Sequence, residues 1–214
     1  MKIFFPVITV LFLTVLFANT ANAQLVKIGV GMGLTKLQSP SLYTNNFAIQ
    51  NVDPVSGYGT VTGYGLGNAY HFGLEAKFNI PLVPITPVAF IDYHLMKGTG
   101  NADSMAYSTS QNIFTIGVEL EYFIIHLPFV SPYVAVNASE NFFGKLETDV
   151  SQTGTAWTYP AENRMGGGVG VGAEITLPPI DFDLSLKYNY FNLIGKSSGE
   201  QNINSLNLNL ELLF

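Results

Sequence analysis

The sequence predicts an all-β protein, an eight-stranded antiparallel up-and-down transmembrane β-barrel, and three observations carry that prediction. Apolar residues recur at every second position in eight separate segments. The connections between those segments alternate between long and short. Only 11% of the residues are charged while 48% are hydrophobic; an average soluble domain carries roughly 25% charged residues. Successive side chains of a strand point to opposite faces, so period-two alternation gives each segment one apolar and one polar face. Past its first residues the chain has no run of ~20 apolar residues, which is what a helix needs to span a bilayer. Strands are then the means of crossing.

The eight segments are 26–34, 70–80, 88–96, 113–123, 133–139, 166–177, 181–190 and 205–214. The first shows the pattern. Val26, Ile28, Val30, Met32 and Leu34 share one face; Lys27, Gly29, Gly31 and Gly33 share the other. Most segments approach the ~9–11 residues that a tilted strand needs to cross a bilayer; 133–139 is the weakest. Four long connections (36–69, 97–112, 140–165 and 192–203) alternate with three short ones (81–87, 124–132 and Pro178-Pro179). Proline cannot donate to a strand ladder, so the prolines concentrated in the short turns mark strand ends. Long connections on one side and short turns on the other are the arrangement of outer-membrane barrels, the long side extracellular. A soluble barrel of the lipocalin kind would need bulky apolar residues inside. Here one face of nearly every segment carries Gly, Asn or charge.

The amino-terminus reads as a cleaved leader. Lys2 precedes an apolar run to Ala18, and Ala21-Asn22-Ala23 is a small-residue cleavage site. The expected domains are a signal peptide over 1–23 and a barrel over 24–214. The chain has no Cys, which excludes a disulfide framework and thiolate chemistry. Its formal charge is −6, and loss of Lys2 with the leader makes it more negative still. That argues against a nucleic-acid partner.

The last segment alternates Leu206, Leu208, Leu210, Leu212 and Phe214 with Asn207, Asn209 and Glu211. It resembles the closing strand of bacterial outer-membrane barrels, and the resemblance implies that these five apolar residues form the signal read by the barrel-assembly machinery. The whole of 24–214 resembles the small outer-membrane barrels, the OmpA transmembrane domain and its OmpX-like relatives, grouped as the outer membrane protein beta-barrel domain. That likeness implies an integral protein of the bacterial outer membrane, exported through its signal peptide and embedded in outer-membrane lipid. It implies long loops free to meet an extracellular ligand or surface partner. Because the chain ends with the eighth segment, no added periplasmic domain is expected.

Gly168-Val169-Gly170-Val171-Gly172-Ala173 has the spacing of a dinucleotide fingerprint, but that motif needs a turn and then a helix. Here the run is itself a strand, and its glycines are expected to make room for bulky neighbours. Aromatic girdles are expected at both rims: Phe78, Tyr122, Phe123, Phe182 and Phe214 at one end, Tyr70, Tyr188, Tyr190 and Phe191 at the other. Trp157 and Tyr159 stand apart in the third long loop. The parts of a nucleophile–base pair are not brought together by any local motif around His71, Ser104 or Ser108, and the histidine spacing is not that of a metal site. No cofactor and no catalysis are expected.

Eleven side chains are expected to form a lumen charge network: Lys27, Glu75, Lys77, Asp92, His94, Glu119, Glu121, Glu174, Asp183, Lys187 and Glu211. The bore of an eight-stranded barrel is just filled by side chains, and a charge left alone in low dielectric is expensive. Neighbouring strands suggest Lys27 with Glu211, Lys77 with Asp92, and Glu174 with Lys187. Seven carboxyls then face three lysines, which leaves four acids without a lysine. Glu119 and Glu121 are the expected orphans, and crowding would keep one of them protonated. Inward glycines at positions 31, 33, 117, 168 and 170 should leave the outer half of the lumen emptier than the inner half. The function expected is a structural or surface-interaction role through the loops. A narrow channel or carrier for a small or apolar ligand is the alternative, and a lipid-modifying enzyme the third reading.

Overall fold

A computed structural model describes residues 25–46, 48–50, 60–102, 105–150 and 156–214. The expected leader, with its cleavage residues Ala21 and Ala23, lies outside the described residues.

Eight long strands form the barrel: β1 (Val26–Ser39), β4 (Asn68–Phe78), β5 (Ile85–Ala102), β6 (Met105–Phe123), β7 (Val130–Phe143), β10 (Glu162–Leu177), β11 (Ile180–Ile194) and β12 (Asn204–Leu213). All pairings are antiparallel between chain neighbours, and β1 pairs with β12 to close the ring. The closure continues one residue past β12, where the Phe214 and Ile28 backbones exchange hydrogen bonds of 2.9 and 3.0 Å. Closure removes every edge from the ring itself, which lipid demands because it can satisfy no exposed backbone group.

The period-two pattern dictates the two surfaces. Met32, Leu34, Phe72, Leu74, Val118, Val136 and Val169 are exposed on the outside, as are Leu206, Leu208, Leu210 and Leu212 on the closing strand. The residues between them face the bore.

The strands run past the segments that alternation picks out, farthest at the loop end, while β5 and β7 also begin earlier at the turn end. β5 and β6 have 18 and 19 residues and pair as far as Ala102 with Met105. The expected loop 97–112 is therefore largely a projecting hairpin. β8 (Leu146–Val150) extends it by pairing with β6, and β9 (Ala156–Tyr159) pairs with β8. Trp157 and Tyr159 thus fall on a strand. In the first long connection, a short helix α1 (Ser41–Thr44) and a small hairpin of β2 (Ala48–Gln50) with β3 (Thr60–Gly63) fold above the barrel mouth. At the other end the connections stay short, and Leu177 pairs directly with Ile180 across Pro178-Pro179.

Candidate functional site

The inward face makes a continuous column of side chains, and its composition changes from one end to the other. At the turn end Lys27 Nζ lies 2.9 Å from Glu174 and 3.3 Å from Asp181. Next comes Lys77, fully buried, whose ammonium meets Asp183 at 2.6 Å, Glu121 at 2.8 Å, Glu174 at 3.4 Å and Glu75 at 3.5 Å. Tyr133 donates to the second oxygen of Asp183 at 2.8 Å, and its ring lies against Lys77. That ring occupies the space a Cβ on Gly172 would need. One level up, Lys187 pairs with Glu119 at 2.8 Å and lies over the Phe90 ring. Asn137 bridges Glu119 and Asn189 at 3.3 and 3.0 Å.

Above the charges the column turns neutral. The Thr35 hydroxyl sits 2.9 Å from His71 Nδ1 and 3.0 Å from His94 Nδ1. A hydroxyl has one proton to give, so it donates to one ring and accepts from the other. His71 Nε2 reaches Asn209 at 2.7 Å, and Asn209 donates to Ser185 at 2.9 Å. Thr115 and Asn141 form the next pair at 2.8 Å.

The loop end is closed by apolar packing. Leu37, Leu66, Met96, Ile113, Phe143 and Phe191 are buried in one cluster with Leu146 and Ile203. Above it is a cavity of about 580 Å³, walled by Tyr43, Tyr64, Gln111, Arg164 and Glu200. Arg164 is occupied by its neighbours: it donates to Glu200 at 2.8 Å, to the Asn163 carbonyl at 3.0 Å, and to Glu162. Asn192 donates to Glu200 at 2.7 Å. Burial works to raise the Glu200 carboxyl pKa, but the hydrogen bonds from Arg164, Asn192 and the Ser197 amide outweigh it and bring it down to about 2.

All eleven expected lumen residues face the bore, but their partners differ from expectation. Lys27 meets Glu174 rather than Glu211, Lys77 meets Glu121 and Asp183 rather than Asp92, and Lys187 meets Glu119 rather than Glu174. The register explains each case. Lys27 stands opposite Lys77, Asp92 opposite Gly73, and Lys187 opposite Gly170. The lysines therefore reach across the bore. Glu119 and Glu121, the expected orphans, each hold a lysine, Glu119 from β11 across the bore and Glu121 from β4, the next strand but one. Among the described residues only Asp92 and Glu211 of the seven acids lack an ion pair, because Lys77 serves four carboxyls at once.

The expected emptier outer half is also corrected. The space beside Gly31 is taken by Glu211, beside Gly33 by His71, beside Gly117 by Phe90, beside Gly168 by Asn189 and beside Gly170 by Lys187. Phe123 and Phe191 are inside the barrel, buried against Tyr133 and in the apolar cap, not on the aromatic rims. Their odd positions beside the outward Tyr122 and Tyr190 turn them inward. The Thr35, His71, Asn209 and Ser185 cluster was missed. Strand parity points all four inward, but only the pairing register brings them together.

A closed ring of eight strands, apolar outside and ionic within, defines an integral membrane barrel. The chain belongs to the outer membrane protein beta-barrel domain family, whose model matches residues 8–214, and this places it in the bacterial outer membrane. It is similar in fold to Neisserial surface protein A: 18% identity, 88% of this chain and 95% of that chain covered, TM-score 0.52. Looser likenesses include Ail, the attachment invasion locus protein of Yersinia pestis (12% identity, 88% and 97% covered, TM-score 0.46). Another is the N-terminal barrel domain of Pseudomonas aeruginosa OprF (8% identity, 89% and 98% covered, TM-score 0.38). No curated protein sequence matches the chain.

Proposed function

We propose that this protein is a non-conducting barrel that acts as a rigid mount for an extracellular interaction surface. The observation that carries this reading is the apolar cap over an ion-paired column. A conducting pore needs a wetted path, and the bore offers ion pairs spanning its width and then a packed layer of Leu37, Leu66, Met96, Ile113, Phe143 and Phe191. The parts that stand beyond the ring are the β5–β6–β8–β9 projection and the folded first loop, both at the long-connection end. Strand pairing holds them out as ordered surface, which suits recognition better than a slack loop would. Recording the purified barrel in a planar bilayer at neutral pH tests the claim. It should give no steady ohmic current, and a steady current would refute the closed bore. Protease added to intact cells should cut within 140–165; cleavage only after the outer membrane is ruptured would reverse the orientation.

A second reading is a carrier for a small apolar ligand, and the cavity of about 580 Å³ at the loop end favours it. Its size lies within the ~300–1,000 Å³ of ligand pockets.

Assembly is proposed to depend on the closing strand, with Phe214 as its recognition residue and the barrel-assembly machinery as partner. Deleting Phe214 should lower the amount of heat-modifiable folded barrel more than Glu211→Gln does. Equal amounts in the two variants would remove Phe214 from that role.

A further inference from the structure

The lipid-facing surface finishes differently at the two ends. Toward the loops it stops at a polar line: Lys36, Asn68, Lys97, Asn112 and Glu140 are exposed on the outside. They stand just above Leu34, Tyr70, Leu95, Phe114 and Ala138 of the same strands. Toward the turns no such line exists among the described residues. Leu82 and Val83 in the first turn, Ile125, Leu127 and Phe129 in the second, and Ile180 at the third are all exposed. The charges nearest this end, Lys27, Glu174 and Asp181, pair with one another. His126 is the one titratable side chain on the exposed turns, and it stacks on Phe123 at 5.2 Å.

Strand length gives the depth. A strand rising ~3.3 Å per residue and tilted by ~40° climbs about 2.5 Å per residue along the membrane normal. The ~25 Å apolar band of an outer-membrane barrel therefore takes about 10 residues. Counted down from the last ring or aliphatic residue below the polar end, the band runs from Tyr70 to Ile80, from Phe114 to Ile124 and from Tyr190 to Ile180. It ends where the turns begin, so the turn residues lie immediately beyond the hydrocarbon, not clear of the membrane. Leu82 adds an independent sign. Its φ is 67°, a left-handed conformation unfavourable for a bulky side chain, and it leaves that side chain fully exposed. In water this spends strain on exposing a leucine; against lipid the exposed leucine is favourable.

We propose that the three short turns are themselves a membrane-binding surface, embedded in the phospholipid of the periplasmic leaflet. Two features select lipid over a periplasmic protein as the occupant. The apolar turns continue the lipid-facing band without a break, and they offer almost no side-chain donors or acceptors for a protein rim, which is ordinarily polar. The barrel is then seated low, its ion-paired column opening at headgroup level and its projecting hairpins standing clear on the far side. The assignment of this leaflet rests on the long connections being extracellular.

The absence of native cysteine makes the test direct. Single variants Leu82→Cys, Leu127→Cys and Ser198→Cys of the full barrel are nitroxide-labelled and reconstituted into pure phospholipid vesicles. Collisions with dissolved oxygen are compared with collisions with a water-soluble nickel chelate. The labels at positions 82 and 127 should favour oxygen severalfold more than the label at 198, a loop residue exposed on the other side. Nickel accessibility at 82 and 127 equal to that at 198 would overturn the proposal and leave the turns to a protein partner. Where Leu82→Cys does not fold, Val83→Cys in the same turn carries the measurement. The depth readout does not depend on which way the barrel points, so it and the protease test of orientation fail separately.

Discussion

The inner and outer parts of the same bore solve the problem of filling a narrow cylinder in opposite ways. Near the turns, Lys77 gathers carboxyls from β4, β6, β10 and β11. Near the loops, Met96, Ile113, Phe143 and Phe191 pack as an ordinary apolar core. Ion pairs are directional, so a lysine that touches four strands fixes their relative heights as well as their separation. Apolar packing is not directional, but it excludes water over an area. On the proposed reading, the inner part sets register and the outer part makes the seal. Between them, the Thr35–His71–His94 layer is neutral and hydrogen-bonded, which separates the charges from the apolar cap.

The hardest test of this division is Lys77→Leu. It leaves buried carboxyls without their shared cation, and breaking a buried pair on one side costs ~3–5 kcal/mol. Urea unfolding of the barrel in vesicles should show a loss of that size while conductance stays absent. A loss below about 1 kcal/mol, the value of an exposed pair, would make the column decorative. The cap is probed by Met96→Ala, expected to cost about 2–5 kcal/mol by the transfer and cavity terms and, unlike Lys77→Leu, to admit intermittent current. If Lys77→Leu leaks and Met96→Ala does not, the roles of the two regions are reversed.

The smallest effect belongs to the loop above the cap. The folded Glu200 carboxyl has a pKa lowered to about 2 from 4.5. A depressed pKa stabilises the folded loop above the ordinary value, and that contribution is lost as pH falls from about 4.5 through about 2. Amide signals of Ser197 and Ile203 should therefore shift between pH 5 and pH 2 while those of the strands hold. Glu200→Gln should abolish the shift at neutral cost to the barrel. Strand amides that move together with the loop would show that cap and column are not independent.

Strand parity was enough to say which residues face lipid and which face the bore, because a period of two leaves no third choice. The eight strands, their order and the alternation of turns and loops were legible for the same reason. Two things were not. The outer halves of β5 and β6 carry small or polar residues on both faces, even at covered positions such as Gly98 and Thr109, and so give no apolar alternation to read. Residue type points Phe123 and Phe191 to the rims, but parity turns both rings inward.

The sequence by itself determined a closed barrel with an apolar outside, a charged inside and short proline turns. These follow from local geometry and from the demand of lipid that every backbone group be paired. Tertiary structure alone decided that Lys77 meets Glu121 and Asp183, that Glu119 meets Lys187, and that Thr35 lies between two histidines. Each of these contacts depends on the relative heights of strands far apart in the chain. Those heights are fixed when the ring closes, by how far each strand is staggered against the next, and no single segment carries that information.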